Sequence, residues 1–187
     1  MSADVTPVRV NATQRGRGLR TTEHPMAFTA WEFIRGALLA WLFFVLLAPL
    51  AVTIGMTNPA SITATFAYLP MILIIAPLYA VPWSAGALLA LGVPLALVLG
   101  LLLRGVASVR LHLICFAALG AFVGGVTTVV QLWSRTIPQP GVTYYGDQPS
   151  VWDLLPGSVP LLVSMQLITA IGVTLGWWIT ARRALRA

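Results

Sequence analysis

The sequence predicts an all-α integral membrane protein, and three observations carry that prediction. Hydrophobic residues fill 58 % of the 187 positions and charged residues 9 %, with mean hydropathy +0.89, whereas soluble domains carry roughly 25 % charged residues. The 68 residues from Gly36 to Leu103 contain no charge at all. The arginines gather at the ends of apolar runs, as the bias of membrane proteins toward cytoplasmic cations requires. So few charges cannot cover a water-soluble domain of this length.

Residues 1–28 are polar, carry Arg9, Arg15, Arg17 and Arg20, and lack apolar periodicity. They read as a disordered, Arg-rich cytoplasmic tail. Thr29 and Glu32 then stand as a capping box, in which each side chain satisfies the other residue's free backbone N–H. A helix is predicted from about 30 to 57, kinked at Pro49. Asn58-Pro59 has the form of an N-cap followed by proline at the first helical position, so a second apolar segment is expected over 59–81. It contains Pro70 and Pro77, and the polar Pro82-Trp83-Ser84 is expected to end it. Further segments are predicted over 85–103, 111–133 and 158–181. Between the last two lies an outer loop, 134–157, where Ser150-x-x-Asp153 predicts a short surface helix. Residues 182–187 form a basic cytoplasmic end.

Charge parity decides how many of these five segments cross. Five transmembrane helices, the alternative arrangement, would divide the eleven arginines six against five. Four crossings divide them ten against one, with Arg135 alone outside. The sequence therefore favours a bundle of four full crossings, with both termini cytoplasmic in a multi-pass cell-membrane protein. One Pro-broken segment, 59–81, is then partial or re-entrant, which is tolerated where other helices shelter its backbone.

Composition excludes several chemistries. All eleven basic residues are Arg, which removes the lysine of a phosphate-binding loop, of a Schiff base or of a general base. Cys115 is the sole cysteine, and His24 and His112 are separated by most of the first half of the chain. No thiolate cage, haem site or metal centre is expected, nor any catalytic or cofactor-binding set. The acids Asp4, Glu23, Glu32, Asp147 and Asp153 all lie outside the long apolar runs, which argues against proton-coupled transport and intramembrane hydrolysis. His112, just after Arg110, is expected in water and headgroups at the membrane boundary. An Arg-rich tail this short gives no reason to expect nucleic-acid binding.

Four groups of residues stand out. Small residues recur four apart at Gly120 and Gly124, at Gly172 and Gly176, and at Gly92, Ala96 and Gly100; such stripes let helices pack closely, within one chain or between copies. Thr127 and Gln131 on the fourth segment, with Ser164, Gln166 and Thr169 on the fifth, form a candidate polar pocket between the last two helices. Plain interhelical hydrogen bonds, worth about 0.6 kcal/mol each, are the simpler role for those five. Tyr144, Tyr145, Asp147, Trp152 and Asp153 make the outer loop a candidate partner surface. Arg182, Arg183 and Arg186 suit anionic lipid headgroups.

The expected function is that of a non-enzymatic membrane subunit or scaffold, with the bilayer and a membrane protein, or a second copy, as partners. The alternative is a small transport component using the polar pocket. The topology is directly testable. In a Cys115→Ser background, Ser108→Cys should resist an impermeant thiol reagent added outside intact cells and react after permeabilisation; ready labelling from outside would reverse the assignment of residues 104–110.

Overall fold

The computed structural model describes residues 29–56, 62–138 and 150–186, with side chains over 29–55, 67–138 and 150–183. Among the described residues every regular element is helical, and four helices are long and apolar enough to cross a membrane. In chain order they are α1 (Ala30–Met56), α2 (Ile62–Ala87), a π-helical turn (Leu88–Gly92), α3 (Val93–Leu103), α4 (Val109–Ser134) and α5 (Val151–Arg186). The tail 1–28 and the Asn58-Pro59 start signal lie outside the described residues.

α1 begins as its sequence dictates. The backbone N–H of Thr29 donates to Glu32 Oε2 at 2.9 Å, and that of Glu32 donates to Thr29 Oγ1 at 3.1 Å. Pro49 is carried inside the helix, and the Thr53 hydroxyl donates to the Pro49 carbonyl at 2.8 Å. At α4, Ser108 caps the first turn by accepting from the Leu111 N–H at 3.4 Å.

α5 is the central element, packed along α1 on one side and α4 on the other. Gly36 meets Thr180 and Gly176, Ala40 meets Gly176 and Gly172, Ala51 meets Ser164, and Gly55 meets Leu161. Each step up α1 is answered by an equal step down α5, so the two helices are antiparallel. Gly120 meets Ala170 and Gly124 meets Met165, which makes α4 antiparallel to α5 as well. Residues near 36, 112 and 180 thus share one end of the bundle. Leu103 joins them there, clustered with Phe116, Trp177 and Ala181. Arg35, Arg104, Arg110, Arg182 and Arg183 all belong to that end, and Arg135 closes the far end of α4.

Three sequence expectations are corrected. Pro82-Trp83-Ser84 does not break the chain. α2, the π turn and α3 continue one another for 26, 5 and 11 residues, about 60 Å at about 1.5 Å per residue, and count as one candidate span, Ala67–Leu103. The segments 59–81 and 85–103 are therefore not separate, and no chain reversal within 62–81 makes a re-entrant dip. Pro70, Pro77 and Pro82 are carried inside α2, and the helix widens just before Pro94. Pro94 has no N–H to give Ala90 and its ring crowds that carbonyl; just before it, the Val93 N–H reaches back five residues to the Leu88 carbonyl. Finally, the Ser150–Asp153 cap starts α5 itself rather than a separate surface helix, so the last helix begins at Val151 and runs through Pro156 and Pro160.

The glycine contacts make a sharp prediction. A Cβ on Gly176 would stand 2.6 Å from Ala40 N and 2.7 Å from Gly36 O, both backbone atoms, whereas one on Gly100 would meet nothing within 4 Å. Gly176→Ala should cost about 1–3 kcal/mol by forcing α1 and α5 apart. Gly100→Ala should be neutral, or stabilise by up to about 1 kcal/mol through helix propensity. Thermal unfolding in a mild detergent checks both; equal melting of the two variants would contradict this packing.

Candidate functional site

The two GxxxG stripes are consumed inside the chain. Gly120 and Gly124 lie on α5, where added Cβ atoms would approach the Thr169 carbonyl to 2.8 Å and the Met165 carbonyl to 2.9 Å. Gly172 and Gly176 lie on α1, against Ala40 and Gly36. The third stripe behaves differently. Gly92 touches mainly its own Leu88 side chain, Gly100 faces open space, and both, with Ala96, line a cavity.

That cavity is a groove of about 630 Å³, within the roughly 300–1,000 Å³ usual for small-molecule sites. α5 contributes Met165, Thr169, Val173, Trp177 and Thr180, a row at helical spacing along its length. α1 walls the arginine end through Gly36, Ala37, Ala40 and Phe44; α4 walls the rest through Phe116 to Gln131. The long helix closes the opposite side from Ala80 to Gly100. The lining is overwhelmingly apolar. Its polar members are few, and most are engaged locally.

The proposed polar pocket is divided by the structure. Thr127, Gln131 and Thr169 do line the groove. The Thr127 hydroxyl donates to the carbonyls of Val123 at 2.9 Å and Gly124 at 3.1 Å, and that of Thr169 to Met165 at 2.7 Å. Ser164 and Gln166 lie elsewhere. Ser164 is buried and its hydroxyl donates across to the Ala51 carbonyl of α1 at 3.1 Å. Gln166 lies over Gly125, its Nε2 only 2.6 Å from where a Cβ would be. So a pocket joining all five does not form, because two side chains serve helix contacts on other faces of α5.

Several contacts were not anticipated from sequence. Trp41 Nε1 donates to Ser84 Oγ at 2.9 Å, tying α1 to α2 at the supposed break. An indole N–H in a long apolar run needs an acceptor, and Ser84 is a hydroxyl in the neighbouring apolar stretch; that was the available signal. His112 is fully buried rather than interfacial. Its Nδ1 is 2.9 Å from the Ser108 carbonyl, and its ring stacks on Trp177 at 5.2 Å, with Phe116 at 5.7 Å from the same indole.

Of the outer loop, Tyr144, Tyr145 and Asp147 lie outside the described residues. Trp152 is exposed, and Asp153 is spent on capping, its Oδ2 accepting from the Ser150 N–H at 2.8 Å and hydroxyl at 2.7 Å. At the C-terminus Arg182 sits 3.9 Å over the Trp178 ring and Arg183 is exposed, while the side chain of Arg186 is outside the described set. Among the described residues no group of three His, Cys, Asp or Glu is placed to hold a metal ion. Comparison with protein-family models, with curated proteins and with solved structures yields no match.

The Trp41–Ser84 pair gives the test of this geometry. A double-mutant cycle of Trp41→Phe and Ser84→Ala, read by unfolding in detergent, should return a coupling of about 0.6 kcal/mol and not above about 1.7 kcal/mol. Zero coupling would place α2 elsewhere.

Proposed function

We propose that this chain is a multi-pass cell-membrane protein with both termini in the cytoplasm, and that it serves as a non-enzymatic subunit or scaffold within a larger membrane complex. The topology is supported by the one-ended grouping of the arginines about a four-helix arrangement. One observation carries the role. In the long helix α2–α3 only 6 % of the apolar window is buried, against 22–33 % in the other three spans. Helices in lipid gain association from close packing rather than from escape of apolar surface from water. A helix that packs so little within its own chain leaves a broad apolar face for another protein to cover. Leu78 and Tyr79, with 68 % and 69 % of their surfaces exposed, lie on that helix.

A photo-crosslinking residue in place of Leu78 should trap one discrete protein in native membranes, while one in place of Ile114 on α4 should not. A smear, or no adduct at either position, together with a monodisperse monomer in mild detergent, would overturn the subunit reading. The transport alternative draws on Thr127, Gln131 and Thr169 in the groove. It requires solute flux that falls in Gln131→Leu, and unaltered flux there removes it.

A further inference from the structure

The groove itself has a definable occupant. Its long wall runs from Ala80 to Gly100, about 30 Å at about 1.5 Å per residue, which is also about the thickness of a bilayer's hydrocarbon core. At about 630 Å³ with an almost wholly apolar lining, the groove is of the size and character that suits a hydrocarbon chain.

Charge selects the headgroup. The stripe Gly92, Ala96, Gly100 continues at the same four-residue spacing into Arg104, which is exposed at the end of α3. Arg35, Arg110, Arg182 and Arg183 share that end of the bundle. Glu32 is the described acid there; it lines this end of the groove, and its carboxylate accepts from the Thr29 N–H at the start of α1. The end is strongly cationic.

We propose that the arginine-side half of the groove, between Ala96 and Gly100 on one wall and Gly36 and Ala40 on the other, seats one acyl chain of an anionic glycerophospholipid, with its phosphate beside Arg104. This rests on the chain spanning a membrane, but not on its having a protein partner.

Native mass spectrometry of the full chain in micelles, titrated with phosphatidylglycerol or phosphatidylcholine, tests it. One phosphatidylglycerol should bind, about fivefold more tightly than phosphatidylcholine, the ratio that about 1 kcal/mol for one interfacial arginine gives. Arg104→Gln should abolish the preference. Gly100→Leu and Ala96→Phe, which fill the groove, should each lower retention of the bound lipid at least several-fold, and unchanged melting temperatures would show that the fold is kept. Equal binding of the two lipids, or retention unchanged in either groove variant, would overturn the proposal. The Leu78 cross-link should survive in Gly100→Leu, so loss of the lipid site and loss of the partner surface remain separate results.

Discussion

The structure depends on backbone-to-backbone approach at α5. On one face Gly172 and Gly176 admit the main chain of α1; on another Gly120 and Gly124 of α4 admit the main chain of α5. Where lipid offers apolar side chains no advantage in leaving it, contact area at short range holds helices together. Glycine supplies that by removing the atom that would hold backbones apart. The cost is a helix less favoured by about 1 kcal/mol per glycine than alanine would make it, which is bearable because hydrocarbon leaves backbone groups no partner outside the helix. Since α5 is antiparallel to both, α1 and α4 take parallel courses, and the start of α1 and the end of α5 lie at one end of the bundle.

Much of this was legible. The capping box at Thr29 and Glu32, the close-packing role of both GxxxG stripes and the one-sided arginines follow from local spacing and composition, where the physics acts over one or two turns. The long helix was not legible. Pro70, Pro77 and Pro82 read as breakers because in water a freed carbonyl can turn to solvent; in hydrocarbon it has no partner outside the helix, and all three prolines lie inside α2. Likewise the polar residues of α4 and α5 share a depth in sequence, but their direction around the helix depends on where α1 sits. Ser164 faces α1, Thr169 faces the groove, and Gln166 lies on Gly125. Spacing alone does not contain that third helix.

Apolar space is divided between two kinds of surface. The interfaces around α5 are closed to the point that one methyl group would not fit. The interface between α3 and the rest leaves a groove of about 630 Å³. The same small-residue stripes produce both outcomes, and what separates them is the presence of a second backbone at the right distance. Trp41 and Ser84 hold α2 against α1, and the cluster of Leu103, Phe116 and Trp177 holds the C-terminal end of α3. Pinned at two places, the long helix stands off in between.

The turn at Leu88–Gly92 sets which way that stand-off points. A π turn inserts one residue into the helical count, and one residue is about 100° of rotation. Ser84, before it, and Ala96 and Gly100, after it, therefore differ in relative azimuth from what an unbroken α-helix would give them. The widened turn works as a phase adjuster, letting one rod present its hydroxyl to α1 and its bare strip to the hollow. Removing a single residue there would leave Ala96 and Gly100 unchanged and swing their strip about 100° from the space it borders.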